Sequence, residues 1–236
     1  MPVAPSILVL APPTLIDLLR ARTEERFAGG ISWFSLAAPP ASADLHAAGV
    51  IVLINVNLDD FSQWRCRLGE HVPLVDMVAH GDPQQARQHG WMIGAGGPSG
   101  AVQAATRLLD ALSPSRPRAW LHLGNASAGA FIAALLQRWQ HQSLAILGWL
   151  GGTSSAQWAY DPAIWQCLTQ STLNQTREHA AHYLGLVENL PFEPAHPIPA
   201  PLQQVLPDQP HGLMAPATTL AHMLLSLPAV APAAPS

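Results

Sequence analysis

Ala119-Trp-Leu-His-Leu-Gly-Asn-Ala-Ser-Ala-Gly-Ala-Phe-Ile-Ala-Ala-Leu-Leu-Gln-Arg-Trp139 contains the unit from which the fold can be read. Ala119 to Leu123 is a short apolar run of strand length, and Ala128 to Trp139 is a helix. Four small or polar residues join them, so the chain turns sharply from strand to helix. The same alternation extends upstream. Ile7 to Leu10 reads as a buried strand, followed by helical spacing over Leu15 to Phe27 that stops at Gly29-Gly30. Ile31 to Ala38, the β-branched run Val50 to Val56, Val72 to Val78 and the shorter Trp91 to Gly94 are further strands. Helices are expected around Asp59 to Leu68 and Gly100 to Leu112. Downstream, Leu144 to Leu150 reads as a strand and Asp161 to Tyr183 as a helix, opened by the Asp161-Pro162 cap. Short strands are expected at Leu184 to Val187 and Leu202 to Leu206, around the proline-rich loop Leu190 to Pro201. A last helix covers Ala217 to Leu227, and Pro228 to Ser236 is a flexible Ala/Pro tail. Strands that are apolar without alternation are buried on both faces. The expected architecture is therefore a single α/β domain over residues 1–227, with a mainly parallel central sheet and helices on both faces.

Composition narrows the classes of function. The chain has 236 residues, 49% of them apolar and only 11% charged, which excludes a disordered solvating chain. The net charge is −4 and all eleven basic residues are Arg, so no basic stripe can gather a nucleic-acid backbone. Cys66 and Cys167 form neither a disulfide framework nor a zinc motif, which points to a reducing, cytoplasmic setting. The N-terminus lacks the charged region of a signal peptide, and no apolar run reaches the length of a membrane span. The expected partner is a small molecule or another protein, with neither nucleic acid nor membrane involved. No metal and no cofactor is expected. Glu178, His179 and His182 share a helix face, but no third ligand type follows at a recognisable interval, so they read as a solvated face.

Four loops carry residues suited to chemistry. Ser127 sits in the strand-to-helix turn, where a helix N-terminus offers N–H groups to an oxyanion. Its alternative role is a small residue capping the helix. His211 lies in Gln209-Pro-His-Gly-Leu-Met214, where a general base could stand. Asp76 and Asp82 flank His80-Gly81 and suit the capping of turns or helices. Gly94-Ala-Gly-Gly-Pro-Ser-Gly100 is glycine-rich, but its spacing is not G-x-G-x-x-G and no acid follows at the ribose-binding interval. It reads as a turn that redirects the chain.

Trp64, Val72 to Asp76, His80-Gly-Asp82, Ser127-Ala-Gly129 and His211-Gly212 follow an order and spacing similar to the α/β-hydrolase superfamily over about residues 50 to 225. The resemblance implies a serine esterase or thioesterase acting on a small ester or thioester. In it Ser127 would be the nucleophile, His211 the base and Glu188 the orienting acid, with Ala128 and Asn57 supplying oxyanion donors. Asn125 stands where the family has its first elbow glycine, and Asn55-Val-Asn57-Leu replaces its His-Gly motif. A non-catalytic binding or interaction module on the same fold is the alternative. Part of the chain, His71 to Leu112 with Glu193-Pro-Ala-His-Pro197 and Pro210-His211, also resembles D-2-hydroxyacid dehydrogenases. That resemblance implies an NAD-dependent fragment with His211 as its histidine.

Overall fold

The computed structural model describes residues 6–26, 30–114, 118–151, 162–187, 190–198, 200–204, 206–209 and 212–227. The expected tail 228–236 lies outside them. Six strands form one sheet: β1 (Ile7–Ala11), β2 (Ile31–Ser35), β3 (Val50–Ile54), β4 (Leu74–His80), β5 (Met92–Gly96) and β6 (Trp120–Gly124). Their order is β2-β1-β3-β4-β5-β6. The first four run parallel, β5 is antiparallel to β4, and β6 is parallel to β5. The sheet is thus mostly parallel, as expected, with its last two strands reversed.

Alternate residues of the central strands feed two cores. Ile7, Val9, Val52, Ile54, Val75 and Met77 face one side, and Leu8, Leu10, Ile51, Leu53, Leu74 and Val78 the other. Burial on both faces explains why these strands read as unbroken apolar runs. The first side is covered by α1 (Ile16–Arg26), α4 (Pro83–His89) and α5 (Ser99–Leu112). The second is covered by α3 (Leu58–Leu68), α6 (Ala128–Gly151), α7 (Pro162–Val187) and α9 (Pro216–Ser226). Short helices α2 (Ser42–Ala47) and α8 (Ala200–Gln203) and a small hairpin, β7 (Asp208–Gln209) with β8 (Gly212–Leu213), complete the described residues.

Three of the expected strands do not form. Leu144 to Leu150 belongs to α6, because no glycine or proline interrupts Ala130 to Leu147 and the helix simply continues. Leu184 to Val187 finishes α7, with Gly185 inside the helix, and Leu202 lies in α8. A short apolar run has no periodicity of its own to separate helix from strand. No helix among the described residues is long and apolar enough to cross a membrane.

One buried cation joins the helices of the first side. Arg22 of α1 is 1% exposed. It donates to the carbonyls of Arg87 and Gln88 at the end of α4 (2.9 and 3.0 Å) and to that of Ser113 after α5 (2.8 Å). A guanidinium placed on two helix C-termini satisfies carbonyls the helices leave unpaired and complements both dipoles. Arg22→Met keeps the stem's packing and orphans these carbonyls. It should lower unfolding free energy by about 3 kcal/mol in a urea titration.

Candidate functional site

The direction of the strands decides which loops meet. The carboxyl ends of β1, β3 and β4 lie at one edge of the sheet, and those of β5 and β6 at the opposite edge. The chain passes from β1 to β2 on one side and then crosses over to β3 on the other, so the first edge holds the topological switch point, where open α/β sheets bind ligands. A cleft of about 540 Å³ opens there, lined by Thr14 after β1, Asn57 and Asp60 after β3, His80 at the end of β4, and Gln137 and Gln140 of α6.

Local hydrogen bonds set the rim of this cleft. Asn55 has a φ of 53°, in the left-handed region that asparagine tolerates better than most residues. Its side-chain amide donates to the Ala79 carbonyl (3.0 Å) and accepts from the Ala79 N–H (2.8 Å), extending the β3–β4 ladder by one pair. Asn57 caps α3 by accepting from the Asp60 N–H (2.8 Å), and its amide donates to the Asp60 carboxylate (2.8 Å). Asp82 caps α4 by accepting from the N–H groups of Gln84 and Gln85, and Pro83 occupies the first turn. The capping expected of Asp82 is what the structure shows.

Ser127 lies at the other edge. It is buried, with a φ of 77°, and its N–H donates to the Asp76 carboxylate (3.2 Å). The second Asp76 oxygen accepts from the Ala130 N–H (2.7 Å). Asp76 is fully buried in β4, and burial pushes its carboxyl up to about 6 against the opposing pull of these backbone donors. Gly96 and Gly129 make room for the contact. A Cβ at Gly96 would stand 2.6 Å from the carboxylate, and one at Gly129 would stand 2.2 Å from the Asp76 carbonyl. The Ala128 N–H points back at the Asn125 carbonyl (3.2 Å). Ser127 borders a groove of about 640 Å³ lined by Phe61, Arg65, Cys66, His71, Pro98 and Leu190. Asn57 is at the opposite edge, so the structure does not bring Ser127 and Asn57 together. His211 and Glu188 lie outside the described residues.

Two further histidines have internal partners. His122 of β6, 1% exposed, bonds the Gly97 carbonyl through Nε2 (2.9 Å) and accepts the Ala195 N–H at Nδ1 (2.9 Å). It pins the segment 190–198 to the sheet, and burial lowers its pKa. His179, expected on a solvated face, is buried, stacks on Phe131 and bonds the Phe131 carbonyl (3.2 Å). No cluster of metal-ligating side chains occurs among the described residues. Gly94 and Gly96 lie within β5, and the redirecting turn follows at Gly97, with a φ of 144°.

Neither a protein-family model nor a curated protein matches the sequence. Solved structures similar to the chain include an imine reductase from Pseudomonas sp. (16% identity, TM-score 0.47, 79% of each chain covered). A 3-hydroxyisobutyrate dehydrogenase from Mycobacterium tuberculosis is similar at 13% identity and a TM-score of 0.46, over 94% of this chain and 99% of that one. A 3-hydroxyisobutyrate dehydrogenase from Salmonella typhimurium is similar at 12% identity and a TM-score of 0.39, over 92% and 99%. These structures are reductases and dehydrogenases by name, and the α/β-hydrolase resemblance, with its serine esterase or thioesterase activity, fails on the geometry of the chain itself. The physical reason lies in the sheet. The motif order was matched along the chain, whereas the reversal of β5 and β6 carries the Ser127 turn to the edge away from the loop after β3.

Two outcomes follow from the Ser127–Asp76 geometry. Ser127→Gly relieves a left-handed backbone and should stabilise the fold by about 0.5–1 kcal/mol in thermal or urea denaturation. The Asp76 carboxyl titrates higher in the folded chain than in the unfolded one. Between about pH 4 and pH 6 the folded state therefore holds a proton that the unfolded state has released. Stability should fall as pH rises through that window, by on the order of 3 kcal/mol, and Asp76→Asn should remove this component of the slope.

Proposed function

We propose that the chain is a small-molecule-binding α/β module whose ligand occupies the cleft at the carboxyl ends of β1, β3 and β4. The observation that carries this reading is the coincidence of a ligand-sized cavity, about 540 Å³, with the switch point of the sheet. Thr14, Asn57, Asp60, His80, Gln137 and Gln140 bring hydroxyl, amide, carboxylate and imidazole groups to one wall or another. Trp91, Val78 and Ala134 supply apolar surface between them. A few placed polar groups on an apolar floor are what orients a small ligand. The two cysteines, both exposed and unpaired, agree with a reducing cytoplasm.

A nicotinamide-dependent fragment is the second reading, favoured by the winding of the sheet around β1. It would use the same cleft, and the turn after β1 is what decides between the two readings.

A thermal-shift panel of nucleosides, monosaccharides and free amino acids tests the main reading, with Gln137→Trp filling the cleft from an exposed position of α6. At least one compound should raise the melting temperature of the wild type by about 2 °C or more and lose that effect in the variant. No shift from any compound, or equal shifts in both proteins, would sink the proposal.

A further inference from the structure

We infer that the switch-point cleft is closed to phosphate-bearing cofactors, dinucleotide or flavin mononucleotide, and takes a phosphate-free polar ligand instead. The inference rests on the cleft being the binding site and narrows what binds there. Sheets with this winding hold the cofactor phosphate on the turn after the first strand, where glycines let backbone N–H groups converge on it at a helix N-terminus. Here that turn is Ala11-Pro12-Pro13-Thr14-Leu15-Ile16. Pro12 and Pro13 have no N–H to give. The N–H groups of Leu15 and Ile16 both donate to the Pro12 carbonyl (3.0 and 3.1 Å). Within residues 12–16, only the Thr14 N–H is left to meet an anion.

Charge disfavours a phosphate as well. Asp17 occupies the first turn of α1, where the helix dipole would otherwise favour an anion. Among the described residues that line the cleft, Asp60 is the acidic one and none is an arginine. The ribose contact fails separately. An acid or arginine is needed near the end of β2, and Ser35 to Ala41 contains no charged residue. The Ser35 hydroxyl is already an acceptor for the Ala37 N–H (3.2 Å). Phosphate cradle, helix-end charge and ribose anchor are independent features, and all three are missing from this edge.

The test is a titration of ¹⁵N-labelled wild-type protein with NADH, NADPH, flavin mononucleotide and inorganic pyrophosphate, read at the backbone amides of Thr14, Leu15 and Ile16. No saturable shift at these amides up to about 1 mM is the expected result. Binding elsewhere, with these amides unmoved, also upholds the inference. Saturable shifts at Thr14 to Ile16 below about 1 mM would overturn it. That result, if also abolished by Gln137→Trp, would leave the cleft as the binding site while refuting its phosphate-free character. Failure of the small-molecule panel would instead reject the cleft itself.

Discussion

The buried carboxylate of Asp76 is the contact on which most of this structure depends. It sits in the middle layer, on β4, and receives the N–H groups of Ser127 and Ala130 from the start of α6. A helix beginning inside a protein must have its first N–H groups satisfied, and here a neighbouring strand does it instead of the helix's own cap. The positive charge of the helix N-terminus also favours the carboxylate. Gly96 and Gly129 are required by that approach, since any Cβ there would occupy the space of Asp76. The left-handed backbone of Ser127 belongs to the same arrangement, because its own N–H and that of Ala130 both reach the Asp76 carboxylate. Helix α6 in turn packs on β4 and β5 and carries α3, α7 and α9.

The reversal of β5 has an equally simple origin. β4 is seven residues long, about 23 Å. Helix α4, which follows it, also has seven residues and spans only about 10 Å. A parallel return would have to cover the whole length of β4 before the next strand began. The connection is too short for that, so β5 runs back beside β4. Helix α5, with fourteen residues, spans about 21 Å and does return the chain, and β6 is parallel to β5. The lengths of the whole connections, residues 81–91 against residues 97–119, thus determine which loops share an edge, since a parallel crossover needs about a dozen residues or more.

Strand identity was legible wherever burial on both faces left an unbroken apolar run, as in Ile7 to Leu10 and Val50 to Ile54. Helices were legible where a face alternated, as in Ser99 to Leu112. Leu144 to Leu150 was misread because its apolar residues continue a helix whose start lies far upstream. The site was misread for another reason. The hydrolase resemblance matched Ser127 and the loop at Asn57 by their order, and order says nothing about which edge of a sheet a loop reaches. Asp82 and Gly90, a cap and a stop with seven residues between them, carried the signal that the crossover was short. Arg22 and His122 were invisible because their partners are 65 to 91 residues distant for one and 25 to 73 for the other. Only a tertiary structure brings such groups together.

The two edges of the sheet are linked through α6. Its first turn is fixed by Asp76 at one edge, and Gln137 and Gln140, about 14–18 Å further along, line the cleft at the other. The remaining wall is rigid. Pro12 and Pro13 have fixed φ, the Asn55 amide is locked to Ala79, and Asn57 and Asp60 hold each other. A ligand entering such a cleft pays little to order these groups, which favours affinity from few contacts. The same rigidity removes the means of adapting to an anion, because within residues 12–16 every N–H but that of Thr14 is absent or already used. The glutamines of α6 and His80 are left as the groups free to choose among ligands. Selectivity at the cleft therefore depends on the axial position of α6, and that position is set by a carboxylate on the far side of the sheet.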